Sequence, residues 1–147
     1  MKYLNSFILT ILVSLGSFAQ DANITSLDQN WTLYMSVEGL EVSINKADCP
    51  IEHTEHIFTY AFLRFKNTSD KKVTVNYQVT QMYTDGSCAG CDATPESQFK
   101  VEIEPGQTLE GDCSFERGEL SVLVKNPLIN SNGVELETIK LTNLTVK

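Results

Sequence analysis

Four cysteines and two histidines are the side chains in this sequence that most often bond to one another, to metals or to substrates: Cys49, Cys88, Cys91, Cys113, His53 and His56. Four cysteines in an exported domain form two disulfides, for which three pairings are available. We favour Cys88–Cys91 together with Cys49–Cys113, because Gly90 allows the short loop to close. The pairing of Cys49 with Cys88 and of Cys91 with Cys113 stays open as the alternative.

The same residues raise two further kinds of chemistry. Cys88 and Cys91 have the Cys-x-x-Cys spacing of thiol oxidoreductases, but there the motif opens a helix, and no helical pattern follows Cys91 here. His53 and His56 could present two imidazoles on one side of a turn, with cysteines as further ligands of a tetrahedral zinc ion. Because oxidised cysteines do not bind zinc, a metal site is an alternative to the disulfides, and we expect no cofactor.

The distribution of bases predicts that the protein is not an enzyme. A catalytic nucleophile needs a base within hydrogen-bonding distance and a third group that orients that base. Both histidines lie in one predicted loop, and the nearest acids, Glu52 and Glu55, lie in the same loop. No orienting group from another part of the chain is therefore indicated.

A partner-binding patch is predicted on residues 57–66, a largely apolar stretch beyond the first nineteen residues. Its side chains alternate between the two faces of a strand, and both faces are largely apolar. One face belongs to the core. The other carries Tyr60, Phe62 and Arg64, and it is either covered by a loop or terminus or exposed as an aromatic patch for a protein or glycan partner.

The elements that must position these residues are strands, because apolar residues recur every two positions from Val73 to Val79 and elsewhere. The predicted strands are 31–37, 40–44, 57–66, 73–79, 99–103, 109–115, 120–124 and 134–146. A bulge or break is expected between Leu136 and Ile139. Turn residues at 67–70 predict a hairpin loop before the 73–79 strand, and turn residues at 104–107 predict another after the 99–103 strand. Together these features predict an all-β fold, an antiparallel Ig-like β-sandwich of about seven to eight strands.

The first nineteen residues have the order of a secretory signal peptide. Lys2 precedes an apolar run from Phe7 to Leu15, and small residues follow up to Ala19. The run is shorter than the roughly 20 apolar residues that span a bilayer. We expect residues 1–19 to be removed, residues 20–147 to form a single disulfide-stabilised domain without membrane insertion, and the mature protein to be secreted or periplasmic.

The charge of the chain argues against some partners. The net charge is −8, and loss of Lys2 with the signal peptide makes it −9. Such an acidic chain does not bind nucleic acid by neutralising phosphates, and it is not attracted to anionic lipid. The acids are scattered along the sequence, as a well-hydrated surface requires.

Several short segments carry a resemblance to a known family. They are Phe18-Ala19-Gln20 and the ranges 65–69, 83–91, 103–114 and 141–146. In these segments the sequence resembles a family of small secreted proteins common in Bacteroidota, of the Flavobacterium type. The resemblance implies secretion and a β fold. The family has no assigned activity, so the resemblance implies no site residues.

Together these observations predict a secreted or periplasmic, non-catalytic binding or cell-surface accessory module that binds an unknown protein or glycan. One alternative is a metal-binding protein that uses His53, His56 and the cysteines. The other is a small inhibitor-type protein whose acidic surface blocks a basic enzyme site.

Overall fold

A computed structural model describes residues 21–129 and 132–147, and the predicted signal peptide lies outside these residues. Ten strands follow one another: β1 Ala22–Asn23, β2 Thr32–Val37, β3 Leu40–Pro50, β4 Ile57–Asn67, β5 Val73–Tyr83, β6 Cys88–Ala89, β7 Gln98–Ile103, β8 Thr108–Glu110, β9 Ser121–Lys125 and β10 Leu136–Val146. Three short 3₁₀ helices, Ile24–Ser26, Pro95–Ser97 and Gly118–Leu120, connect them. No helix among the described residues has the length and apolar character to cross a membrane.

The strands form two antiparallel sheets that stack as a sandwich, as the sequence predicts. The first sheet has the order β1-β10-β5-β6, and β7 also pairs with β5. The second has the order β2-β3-β4-β8, and β9 also pairs with β4. Eight of the ten strands have three residues or more, and β1 and β6 are two-residue pairings.

The core lies between the sheets and is filled by alternate residues of each strand. In β5 the predicted alternation is confirmed, because Val73, Val75, Tyr77 and Val79 are all buried. The Phe65 ring of the second sheet meets the Tyr77 ring edge-on, with 5.0 Å between centroids. Such an edge-to-face pair ties the two sheets together at the centre of the core.

The turn after β4 is formed by the residues that the sequence indicates. The Asn67 side-chain oxygen accepts hydrogen bonds from the Ser69 backbone N–H at 2.9 Å and from the Ser69 hydroxyl at 2.7 Å. Its amide nitrogen donates to the backbone carbonyls of Lys71, Ile103 and Glu104. Asn67 is fully buried, so this single side chain closes the loop and links it to the end of β7.

Two predicted features differ from the structure. The predicted strand 109–115 ends at Glu110, and β7 and β8 do not form a hairpin, because β7 pairs with β5 and β8 with β4. The 104–107 turn instead crosses from one sheet to the other, held by hydrogen bonds between the Asn67 backbone and residues 106 and 107. The expected irregularity in β10 is confirmed by a register shift between Leu136 and Thr138.

Candidate functional site

The outer surface of the second sheet carries an aromatic face, which we define by seven residues: Trp31, Leu33, Tyr60, Phe62, Arg64, Phe115 and Leu123. The strand register places Tyr60, Phe62 and Arg64 on the side of β4 that points away from the core, because Ala61, Leu63 and Phe65 belong to the core cluster. Neighbouring strands add Leu123, which lies opposite Tyr60, and Leu33, which lies opposite Ser43.

Phe62 forms the floor of the aromatic face. It is only 2% exposed, so its ring supports the face and is not available as a contact for a partner. The segment 111–117 passes over it: the Gly111 backbone N–H donates to the Leu63 carbonyl at 3.0 Å. A Cβ on Gly111 would lie 2.5 Å from the Leu120 carbonyl oxygen and 3.0 Å from the Phe62 ring. Only glycine therefore allows the chain to run this close to Phe62.

Tyr60 is the central half-exposed ring of the aromatic face. It stacks on Phe62 with 5.9 Å between centroids and an interplanar angle of 15°. The Phe115 ring packs against it at 4.7 Å, tilted by 57°. Leu123, which is 39% exposed, lies beside it on β9. These contacts hold the Tyr60 ring in one orientation while part of it stays open to solvent, as in rigid aromatic anchors of interfaces.

Arg64 is held at the other end of the aromatic face. Its guanidinium carbon lies 4.0 Å from the centre of the Trp31 ring, and its Nε donates to the Glu110 carboxylate at 2.7 Å. A guanidinium that stacks on an indole and pairs with a carboxylate has little freedom to move. Leu33, 62% exposed, extends the apolar surface beyond this pair.

Two acidic side chains lie beside the aromatic face. Asp112 and Glu116 belong to the segment that carries Phe115. The Ser114 hydroxyl, and then its backbone N–H, hold the pKa of Asp112 below its usual range. This carboxylate is therefore ionised at neutral pH, and Arg64 is already paired with Glu110. The rim thus presents negative charge.

A disulfide fixes the segment that covers Phe62. Cys49 is fully buried at the end of β3 and bonds to Cys113, with 5.5 Å between the Cα atoms. Cys88 and Cys91 form the second disulfide, with 5.9 Å between the Cα atoms. This confirms the favoured pairing. Both bonds indicate an oxidising, extracytoplasmic environment.

The histidines do not join the cysteines in a site. His53 and His56 are exposed in the loop between β3 and β4, and all four cysteine sulfurs are bonded in pairs. Among the described residues, no group of three or more histidine, cysteine or acidic side chains has an arrangement that could hold a metal ion. In the disulfide-bonded protein the cysteines are not available as the zinc ligands of the alternative hypothesis.

One buried polar atom in this sheet lacks a partner. Asn45 lies opposite Phe62 on β3 and is 8% exposed, and its amide nitrogen donates to the Gln29 carbonyl at 3.2 Å. Within the described part of the chain its side-chain oxygen accepts no hydrogen bond.

Sequence reasoning finds three of the seven residues of the aromatic face. Phe115 is missed because the pattern places it in a strand. Trp31, Leu33 and Leu123 are missed because the strands that carry them are read only for their core-facing residues. The signal for Leu123 was present: in a β-strand the neighbours of a buried valine point outward, so an apolar Leu123 beside Val122 indicates an exposed apolar position.

Comparison with known proteins gives little. No family model matches the chain, and no curated protein matches it significantly. Among solved structures it is similar to the trimeric lipoprotein SadB of Salmonella enterica, with 9% sequence identity and a TM-score of 0.38. The similarity covers 88% of this chain and 64% of the SadB chain. At these values the likeness carries no argument about function.

Proposed function

We propose that this is an exported, non-catalytic binding module of the periplasm or the cell exterior that binds another protein through its aromatic face. The observation that carries the proposal is the rigid, half-exposed Tyr60, held between Phe62, Phe115 and Leu123 on an open sheet surface. Fixed aromatic rings with exposed apolar neighbours are typical of the centre of a protein interface.

The surrounding charge supports a basic partner. The rim formed by Asp112 and Glu116 is acidic, and the sequence as a whole carries a net charge of −8. A partner with lysine and arginine around an apolar centre is complementary to this face and is attracted to it over a distance. An inhibitor-type role, in which the partner is a basic enzyme, is one form of this function.

A protein partner fits the aromatic face better than a glycan. The exposed positions beside Tyr60 and Arg64 include two aliphatic side chains, Leu123 and Leu33. Aliphatic groups give sugar hydroxyls no hydrogen bond, whereas they bury well against apolar side chains of a protein. Among the polar groups of this face, the Arg64 Nε already donates a hydrogen bond to the Glu110 carboxylate.

Two observations support an exported, non-catalytic role. Both disulfides belong to an oxidising compartment, which agrees with the signal peptide predicted over residues 1–19. The two histidines of the chain are exposed in one loop, between β3 and β4. The resemblance to the secreted Bacteroidota family stays a prediction.

Differential capture tests the proposal. Mature wild-type protein and the variant Tyr60→Ser/Leu123→Ser are immobilised and exposed to envelope proteins of the producing organism. Leu128→Ser/Ile129→Ser is the matched control, because it removes two exposed aliphatic side chains outside the aromatic face. We expect a protein that both wild type and control retain, that the Tyr60 variant retains at least tenfold less well, and that salt elutes.

Two results would overturn the proposal. One is equal capture by wild type and the Tyr60→Ser/Leu123→Ser variant, which would place binding elsewhere. The other is a captured species that survives protease digestion and is removed by glycosidases, which would make the partner a glycan. Circular dichroism of each variant verifies that the sandwich is folded before capture is compared.

A further inference from the structure

The Cys88–Cys91 disulfide lies at the surface of the first sheet, where β6 ends and the chain continues toward the 3₁₀ helix Pro95–Ser97. Cys88 and Cys91 are both exposed, and Gly90 between them has a φ of 71°, which lets the chain turn back within a few residues. Thiol–disulfide exchange begins when a thiolate reaches one of the two sulfurs. This bond can therefore be attacked from solvent at either end.

The Cys49–Cys113 disulfide has a different environment. Cys113 is exposed, but Cys49 is fully buried. Attack is therefore possible only at the Cys113 sulfur, and it expels the Cys49 thiolate into a place from which water is excluded. Since burial disfavours the charged form of a group, this step is slow while the protein is folded. The two disulfides of one molecule thus give an internal comparison between an exposed bond and a half-buried one.

The loop that carries the Cys88–Cys91 bond is held on β5 by contacts that do not involve sulfur. At the start of the loop, β6 pairs with β5. The Gln78 amide nitrogen donates hydrogen bonds to the carbonyls of Gly90 and Asp92, and the Thr80 hydroxyl donates to the Gly90 carbonyl. Gln78 and Thr80 are buried, so water competes little for these hydrogen bonds. When the disulfide opens, the two thiols should therefore stay close enough to rejoin.

From an exposed disulfide in a loop that other bonds hold in place, we infer that Cys88–Cys91 is a reversible thiol–disulfide exchange site for a dithiol. One thiolate of the dithiol attacks one cysteine sulfur, the sulfur–sulfur bond breaks, and the other cysteine leaves as a thiolate. The second thiolate of the dithiol then attacks the mixed disulfide, closes a disulfide within the dithiol and releases the second cysteine. The dithiol loses two electrons and two protons, which the Cys88–Cys91 pair takes up as two thiols.

The exchange is a one-to-one reaction and not an enzymatic turnover. In thiol oxidoreductases a helix that begins at the Cys-x-x-Cys motif stabilises the reactive thiolate, whereas here the chain leaves Cys91 as a loop. We therefore expect stoichiometric exchange, in agreement with the non-catalytic role proposed above. The loop belongs to the first sheet and the aromatic face to the second. The inference thus concerns a different surface from the proposed function and does not depend on it.

Reduction of the folded protein with dithiothreitol, followed by alkylation and peptide mass spectrometry, tests the inference. Samples are taken over time at neutral pH, and iodoacetamide traps the thiols that have formed. We expect Cys88 and Cys91 to be alkylated together, at least tenfold faster than Cys49 and Cys113, while the far-ultraviolet circular dichroism stays unchanged. Oxidised glutathione, added after dithiothreitol is removed, should restore the bond between Cys88 and Cys91.

Substitutions on β5 test whether the loop is held independently of sulfur. Gln78→Met removes the amide that donates to the loop, and it should slow reoxidation of the reduced pair at least fivefold. Asn76→Leu is the matched control, because the Asn76 amide lies on the same face of β5 and donates to the Thr145 hydroxyl; it should leave the rate within twofold. Thr80→Val, which removes only a hydroxyl donor to the loop, takes the place of Gln78→Met if circular dichroism shows that variant to be unfolded, and it should slow reoxidation at least threefold.

Reduced thioredoxin is a second probe, which distinguishes a protein dithiol from a small one. At equal dithiol concentration, faster reduction by thioredoxin indicates the dithiol of another protein, and faster reduction by dithiothreitol indicates a small dithiol; either result supports the inference. It is overturned if Cys49 and Cys113 are alkylated as fast as Cys88 and Cys91, if reduction of the exposed bond unfolds the sheets, or if the folded β5 variant reoxidises at the wild-type rate.

Discussion

Removal of the Cys49–Cys113 disulfide should destabilise the protein much more than removal of Cys88–Cys91. The first bond joins residues 64 positions apart, and the second joins residues 3 apart. A disulfide limits the entropy of the unfolded chain by an amount that grows with the logarithm of the loop it closes. For the long loop this is about 14 cal/mol/K, or about 4 kcal/mol at 25 °C, and for the short loop about 2 kcal/mol.

Urea denaturation of the two double variants measures the difference. With an m-value of about 2 kcal/mol/M, Cys49→Ala/Cys113→Ala should lower the midpoint by about 2 M and Cys88→Ala/Cys91→Ala by about 1 M. Cys49 is fully buried, so its truncation adds a cavity and can only widen the gap. Equal losses in the two variants, or a larger loss from the Cys88 pair, would refute this reasoning.

The same variants test the link between the disulfide and the aromatic face. Cys113 anchors the segment that carries Phe115 over Phe62. Loss of the bond should release this segment and speed tryptic cleavage after Arg117 under native conditions, because proteolysis follows local opening. Cys88→Ala/Cys91→Ala should leave that rate unchanged. Equal cleavage rates in both variants would show that the packing of Phe115, and not the disulfide, holds the segment.

Three further predictions concern other parts of the structure. Asn67→Ala should lower the free energy of unfolding by about 3 kcal/mol or more in urea denaturation, because three backbone carbonyls lose their donor; a loss below about 1 kcal/mol would contradict this. Gly111→Ala should displace the segment over Phe62 and so speed hydrogen exchange of the 111–117 amides, whereas Gly118→Ala, whose Cβ meets open space, should leave that exchange unchanged. Burial is the main reason that the pKa values of Tyr77 and Tyr34 are raised in the folded protein. In the unfolded chain both phenol groups ionise near pH 10, so at that pH the folded protein holds its phenol protons more tightly than the unfolded chain does. Their contribution is complete below about pH 10 and is lost as the pH rises further, so Tyr34→Phe/Tyr77→Phe should show a flatter fall of the denaturation midpoint above pH 10; an unchanged fall would contradict this.

The sequence predicts the sheets because most strands bury one face. In β5 the alternation from Val73 to Val79 is enough, since each second residue has to reach the core. The sequence does not predict the end of a strand where pairing with a neighbouring strand, and not the alternation of apolar residues, sets the strand's length. β3 continues from Ile44 to Pro50 through polar residues because it pairs with β4 along that whole length. No local pattern shows such pairing.

The aromatic face is predicted only in part for a related reason. Alternation places Tyr60 and Phe62 on the same side of β4, but it cannot tell which of the two rings is covered. The cover comes from residues 111–117, about fifty positions further along, and depends on Gly111 and on the Cys49–Cys113 bond. The sequence predicts a strand over 109–115, and it does not show that the chain leaves the sheet after Glu110 and passes over a ring of another strand. The periodicity of apolar residues reports local structure and does not predict long-range contacts of this kind.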